Sequence, residues 1–176
     1  MNQIVITIQY KKNEDFTDQL FHSIFQSKCH LIDVRLLTPV LGLTLIVFSL
    51  KCNWTQLAHL ELQLTELQKD YHFTKSIEHL QPTLSPATIV PYNLYMITAN
   101  TQGIIEDILQ FLLGLSVNLH EFLTTFYQAP ATQTSMLEIT CLAMVPLDKT
   151  IHVFRENIIQ FCDENNIEVI LEPKRH

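Results

Sequence analysis

The sequence predicts an α+β protein: two tandem ferredoxin-like (βαββαβ) domains, each an antiparallel sheet with both helices on one face. Three observations predict it. The chain repeats itself at a spacing of 88 residues: Ile104, Ile108, Leu109, Leu112 and Leu113 fall on Phe16, Leu20, Phe21, Ile24 and Phe25. In the same register Leu94 and Met96 fall on Ile6 and Ile8, and Leu119, Glu121 and Phe122 on Leu31, Asp33 and Val34. A single register that aligns a strand, a helix and the next strand is the mark of a duplication. Within each half the apolar pattern reads strand, helix, strand, strand, helix, strand. Between the halves, residues 81–91 carry Pro82, Pro86 and Pro91 among Ser and Thr, the composition of a linker. The expected domains are therefore 1–80 and 92–176.

In the first domain, Ile4-Val5-Ile6-Thr7-Ile8 is a β-branched run and a strand. Lys12-Asn13-Glu14-Asp15 leads into an amphipathic helix from Phe16 to Phe25, with Asp15 as its N-cap. A second strand runs from Cys29 to Leu37 and a third from Leu41 to Leu50; Pro39 and Gly42 punctuate a hairpin between them. Asn53 caps a long helix, with Gln56 placed three residues on as in a capping box. Leu57, Leu60, Leu64, Leu67 and Tyr71 share one face of it, too short a run for a coiled coil and better suited to core. Phe73 to Leu80 closes the sheet as an edge strand.

The second domain repeats the plan. Tyr92 to Ala99 is a strand, and a helix runs from Gly103 to Leu113 with Gly114 as C-cap. Val117 to Tyr127 and Met136 to Val145 are paired strands around the polar loop 128–135. Asp148 caps the last helix, where Ile151, Phe154, Ile158 and Phe161 share a face, and Ile167 to Leu171 closes the sheet.

Composition narrows the function. The 176 residues are 47% hydrophobic, ample for two cores. The net charge is −7 with only 11 Lys and Arg, and the basic residues cluster no further than the pairs Lys11-Lys12 and Lys174-Arg175. That balance argues against holding nucleic acid by counterion release. No apolar stretch reaches the ~18 residues a membrane helix needs, and Met1-Asn2-Gln3 leads straight into a strand with no signal pattern. The expected location is cytoplasmic. Cys29, Cys52, Cys141 and Cys162 lack metal-ligand spacing, so free thiols are expected and zinc is not. Three glycines form no phosphate-cradling loop. His22, His59 and His152 read as helix-surface residues, and no G-x-S-x-G or Cys–His–acid grouping is present. The expectation is a protein without catalytic residues, metal or cofactor.

A binding site is expected at the start of the third helix. Asn100, Thr101, Gln102, Gly103 and Ile104 join a strand to that helix, and the first N–H groups of a helix lack intrahelical partners. Those donors and the helix dipole favour an anion. The carboxylate of a small amino acid is expected on the N–H groups of Gln102, Gly103 and Ile104. Its ammonium is expected on the side-chain carbonyls of Asn100 and Asn118. In the first domain Asp15 takes the place of Gly103, and its carboxylate would repel an anion.

Several short runs carry a family resemblance. These are Asn53-Trp54-Thr55-Gln56-Leu57 at a helix start and Ile32-Asp33-Val34-Arg35-Leu36 in a strand. The second half adds Gln128-Ala129-Pro130-Ala131, Met136-Leu137-Glu138-Ile139 and Val145-Pro146. In this order they resemble the glycine cleavage system transcriptional repressor family, which consists of two ACT domains, small amino-acid-binding regulatory modules. The resemblance spans nearly the whole chain. It departs at Lys12-Asn13-Glu14-Asp15, where the family carries an Asp-Arg-Pro-Gly-like turn. It implies a non-enzymatic regulator of glycine metabolism that controls transcription through a partner transcription activator and senses a small amino acid. The alternative it leaves open is an amino-acid-sensing ACT module that regulates a metabolic enzyme in trans. Bare sheet edges also make a homodimer an expected assembly.

Overall fold

The computed structural model describes residues 2–11, 16–38, 42–80, 89–146 and 151–174. The first-domain loop Lys12 to Asp15, Pro39 and Leu41, linker residues 81–88 and the cap Asp148 lie outside them. The elements are β1 (Asn2–Lys11), α1 (Thr17–Gln26), β2 (His30–Leu37), β3 (Leu43–Cys52), α2 (Trp54–Asp70) and β4 (Phe73–Leu80), then β5 (Ile89–Ala99), α3 (Ile104–Gly114), β6 (Asn118–Gln128), β7 (Ser135–Pro146), α4 (Ile151–Glu164) and β8 (Glu168–Pro173). The βαββαβ order thus occurs twice. The two four-stranded sheets run β2-β3-β1-β4 and β6-β7-β5-β8, antiparallel throughout. The chain divides into compact units Met1–Leu84 and Ser85–His176.

Alternation along the strands builds each core. In the first unit Ile4, Ile6 and Ile8 of β1 and Ile46, Phe48, Leu50 and Cys52 of β3 are buried, under Leu20 and Ile24 of α1 and Leu57, Leu60 and Leu64 of α2. The second core joins Leu94 and Met96 of β5 with Leu137, Ile139 and Cys141 of β7, under Ile108 and Leu112 of α3 and Phe154, Ile158 and Cys162 of α4. Burying such side chains stabilises by ~1.5–3 kcal/mol each. The two apolar stripes of the first helix divide unequally in both units. Phe16, Leu20 and Ile24, like Ile104, Ile108 and Leu112, face the core, while Phe25 and Leu113 on the second stripe are 61% and 62% exposed.

The repeat extends to backbone irregularities. The β2–β3 register shifts between Leu31 and Asp33, and the β6–β7 register between Leu119 and Glu121. The chain takes a left-handed φ at Lys28 and again at Ser116. Both features recur at the 88-residue spacing read in the sequence.

Three expectations shift. β5 begins at Ile89, so residues 89–91 are strand rather than linker, pairing Ile89, Val90 and Pro91 with Pro146, Val145 and Met144. Pro91 is tolerated because its carbonyl accepts the Lys174 N–H at 2.8 Å, so the side on which Pro lacks a donor faces the departing end of β8. Gly114 is the last residue of α3 rather than its cap; Leu115 caps the helix, and the left-handed turn falls on Ser116. In α4 Cys162, one turn beyond Ile158, takes the buried place expected for Phe161. Phe161 instead stacks half-buried on Phe111, with ring centroids 4.0 Å apart.

Candidate functional site

The turn after β5 is a compact knot of backbone. The Asn100 N–H donates to Ser135 O at 2.9 Å, and its side-chain Nδ2 to Ser135 Oγ at 3.2 Å, fastening the loop to the start of β7. The Thr101 N–H donates back to Ala99 O at 2.9 Å, and Thr101 O accepts the Ile104 N–H at 3.3 Å. Gly103 follows at φ 89°, ψ −12°, the left-handed region that side chains with a Cβ rarely adopt. Ile104 then turns into the core as the first residue of α3.

Of the three predicted N–H donors, Ile104 is already engaged by Thr101 O. The N–H groups of Gln102 and Gly103 take part in no hydrogen bond among the described residues. The Asn100 side chain spends its amide N–H on Ser135 and leaves its carbonyl oxygen for another donor. Asn100, Thr101 and Gln102 are exposed.

Asn118 stands apart. It opens β6 opposite Met144, whereas Ala99, next to the loop, is opposite Met136. These β7 partners lie eight residues apart (136 to 144), roughly 25 Å at ~3.3 Å per residue. The helix α3 carries the chain the length of the sheet before β6 begins, so within the unit Asn118 sits at the opposite end from the loop. It is removed from the site on that ground.

Glu106 enters in its place. It occupies the first turn of α3 together with Asp107, and its Oε2 would lie 3.9 Å from a Cβ built on Gly103. A carboxylate there offsets the positive end of the helix dipole. It also supplies an acceptor beside the free N–H groups of Gln102 and Gly103. The loop therefore presents donors and an anionic acceptor together, a set that complements the two charged ends of a small amino acid. The sequence signal for Glu106 was its place three residues after the glycine, the position whose side chain reaches back to a helix start.

The corresponding end of the first unit is built differently. An open pocket of about 610 Å³ is lined by Tyr10, Lys11, Gln68, Tyr71, His72 and Phe73 among others. Its aromatic wall is a cluster: Phe16 stacks on Tyr71 and Phe73 with centroids 4.8 and 4.9 Å away and tilts against Tyr10 at 4.6 Å. Tyr10 OH bonds Thr17 Oγ1 at 2.5 Å, and Gln68 Nε2 donates to Phe73 O at 3.0 Å, so several of its polar groups are already engaged. Sequence reading missed this pocket because its lining comes from three separated segments that the sheet brings together. Among the described residues no group of three His, Cys, Asp or Glu is placed to hold a metal ion, and no helix is long and apolar enough to cross a membrane.

No family model matches the sequence, and none of the curated proteins matches it. Solved structures do. An unknown protein from Galdieria sulphuraria superposes with a TM-score of 0.74 at 15% identity, covering 99% of both chains. A protein assigned provisionally as a glycine cleavage system transcriptional repressor superposes with a TM-score of 0.65 at 13% identity, covering 99% of this chain and 98% of that one. At these identities the likeness establishes the fold: two βαββαβ units in tandem, over essentially the full length of the chain.

Proposed function

We propose that the chain is a non-enzymatic regulator of amino-acid metabolism, built of two ACT-type modules, that controls transcription through contact with a partner transcription activator. The observation that carries this reading is the end-to-end likeness to the structure assigned as a glycine cleavage system transcriptional repressor. The charge supports it: a chain of net charge −7 with 11 Lys and Arg suits contact with protein better than with nucleic acid.

The second unit senses a small amino acid, glycine first, at the turn before α3. The ligand carboxylate meets the N–H groups of Gln102 and Gly103, and its ammonium meets Glu106 and the side-chain carbonyl of Asn100. Two measurements test the proposal. Affinity capture with the purified chain in an extract of its source is expected to recover a DNA-binding activator; tight binding of the chain alone to a promoter fragment at physiological salt would overturn it. Calorimetric titration with glycine is expected to give heat that Glu106→Gln abolishes or weakens at least tenfold. Equal heats for both proteins would remove this loop from the site.

A further inference from the structure

Cys29 and Cys52 meet at one end of the first sheet. β2 and β3 pair His30 with Lys51 and Leu31 with Leu50, so the next rung outward sets Cys29 against Cys52. The two thiols are near enough for Cys29 to act on the ionisation of Cys52. Cross-strand neighbours in an antiparallel ladder have Cα atoms about 4.5 or 5.5 Å apart, and both values fall in the ~4.4–6.8 Å range a disulfide spans. The backbone around the pair is held. The Cys29 N–H donates to Ser27 Oγ at 3.3 Å, Gln56 Nε2 of α2 donates to Lys28 O at 2.7 Å, and Lys28 takes a left-handed φ that turns the chain into β2. Cys52 directly precedes Asn53, the cap of α2.

The two thiols differ in access. Cys52 is fully buried, and Cys29 is half-buried at the margin of the core. In the second unit the same rung carries Val117 and Val145, both buried. Packing at this rung is thus satisfied by two valines, and sulfur is not needed for it. Cys141 and Cys162 serve as isolated core residues of the second unit.

We propose that Cys29 and Cys52 are a thiol pair that a peroxide oxidises to a reversible disulfide, fastening the edge strand β2 to β3. The thiolate of Cys29, the accessible member, attacks a peroxide oxygen; the O–O bond breaks, water leaves, and Cys29 becomes a sulfenic acid. The sulfur of Cys52 then displaces water from that sulfenic acid, forming the S–S bond. Two thiols lose two protons and two electrons, and hydrogen peroxide is reduced to two waters. A small thiol reverses the step by exchange. The bond ties the start of β2 to the end of β3 immediately before α2, closing the loop that contains the hairpin.

The test uses the whole chain. It is treated with a few equivalents of hydrogen peroxide, alkylated in denaturant and digested without reduction for mass spectrometry. The expected product is a Cys29–Cys52 linked peptide that dithiothreitol abolishes, with Cys141 and Cys162 recovered alkylated. Oxidation is expected to raise Tm by several degrees in the wild type and to leave the double variant C29V/C52V unshifted, since that variant copies the valine pair of the second unit. Recovery of Cys29 as sulfinic or sulfonic acid with Cys52 still a thiol, or only intermolecular linkage, would overturn the proposal. So would an equal rise in Tm in the double variant.

Discussion

Gly103 illustrates how one residue carries two explanations that only geometry separates. Its φ of 89° favours a residue without a Cβ whether or not anything binds. A side chain there would find space, since the nearest atom to a built Cβ is Glu106 Oε2 at 3.9 Å, so the cost is conformational rather than steric. Gly103→Val is expected to lower unfolding free energy by ~1–2 kcal/mol, and Gly103→Asn by clearly less because Asn tolerates the left-handed region. Urea denaturation of the two variants checks the order; equal losses would mean that the turn relaxes out of this conformation. The sequence made the strand-to-helix junction legible, because a lone glycine between two periodic segments marks one. It did not show φ, nor that Ile104 N–H was already spoken for by Thr101. Asn118 misled because it is near the loop in chain order only after a helix has crossed the sheet. Glu106 was not among the residues singled out from the sequence.

Among the elements, α2 is the one whose start is best specified. Its capping box is closed in both directions: the Gln56 N–H donates to Asn53 Oδ1 at 2.8 Å, and the Asn53 N–H to Gln56 Oε1 at 2.9 Å. Asn53→Ala is expected to cost about 1 kcal/mol. Gln56→Ala is expected to cost at least as much, because Gln56 Nε2 also holds Lys28 O across the turn before β2. Chemical denaturation of both single variants measures this, and a neutral Gln56→Ala would show that the tie to Lys28 adds nothing. The Asn53 cap and the helical faces were legible because they depend on residues three and four apart; the start of α1 was not, since Phe16 and not Asp15 holds its N-cap position. The strand irregularities were not. The register shifts at Leu31/Asp33 and Leu119/Glu121 are set by pairing with β3 and β7, partners that no local window contains. The early start of β5 was hidden by the same cause, since Pro91 reads as a breaker until the side of its missing N–H is known.

At the scale of the whole molecule, three buried thiols tie stability to alkaline pH. Burial pushes Cys52, Cys141 and Cys162 up from 9.0 to about 11, because a thiolate is poorly solvated in the core; Cys29 adds to the effect at Cys52, Glu121 at Cys141 and Asp163 at Cys162. A pKa raised by folding favours the protonated folded form. The stability is therefore fully present below about pH 9 and is lost as pH rises from 9 toward 11. Unfolding free energy measured across that window is expected to fall more steeply in wild type than in a Cys141→Val/Cys162→Val variant; parallel curves would exclude the thiols as the source. The duplication was the most legible feature at this scale, since it needs only one register to hold along the chain, and the backbone irregularities obey it too. It also bears on how the protein is made. In each sheet β1 or β5, one of the two interior strands, is the first to be synthesised, and one of its edges is covered only by the last strand of its unit. β1 and β5 are alike in pattern, so a chain with both present offers β4 two such strands to choose from, the setting in which repeat proteins misassemble. On a ribosome adding ~5–20 residues per second, β4 emerges ~1–4 s before β5 does. Its correct partner is then the one such strand within reach, and the order of synthesis does the discriminating that the similarity of the repeats leaves undone.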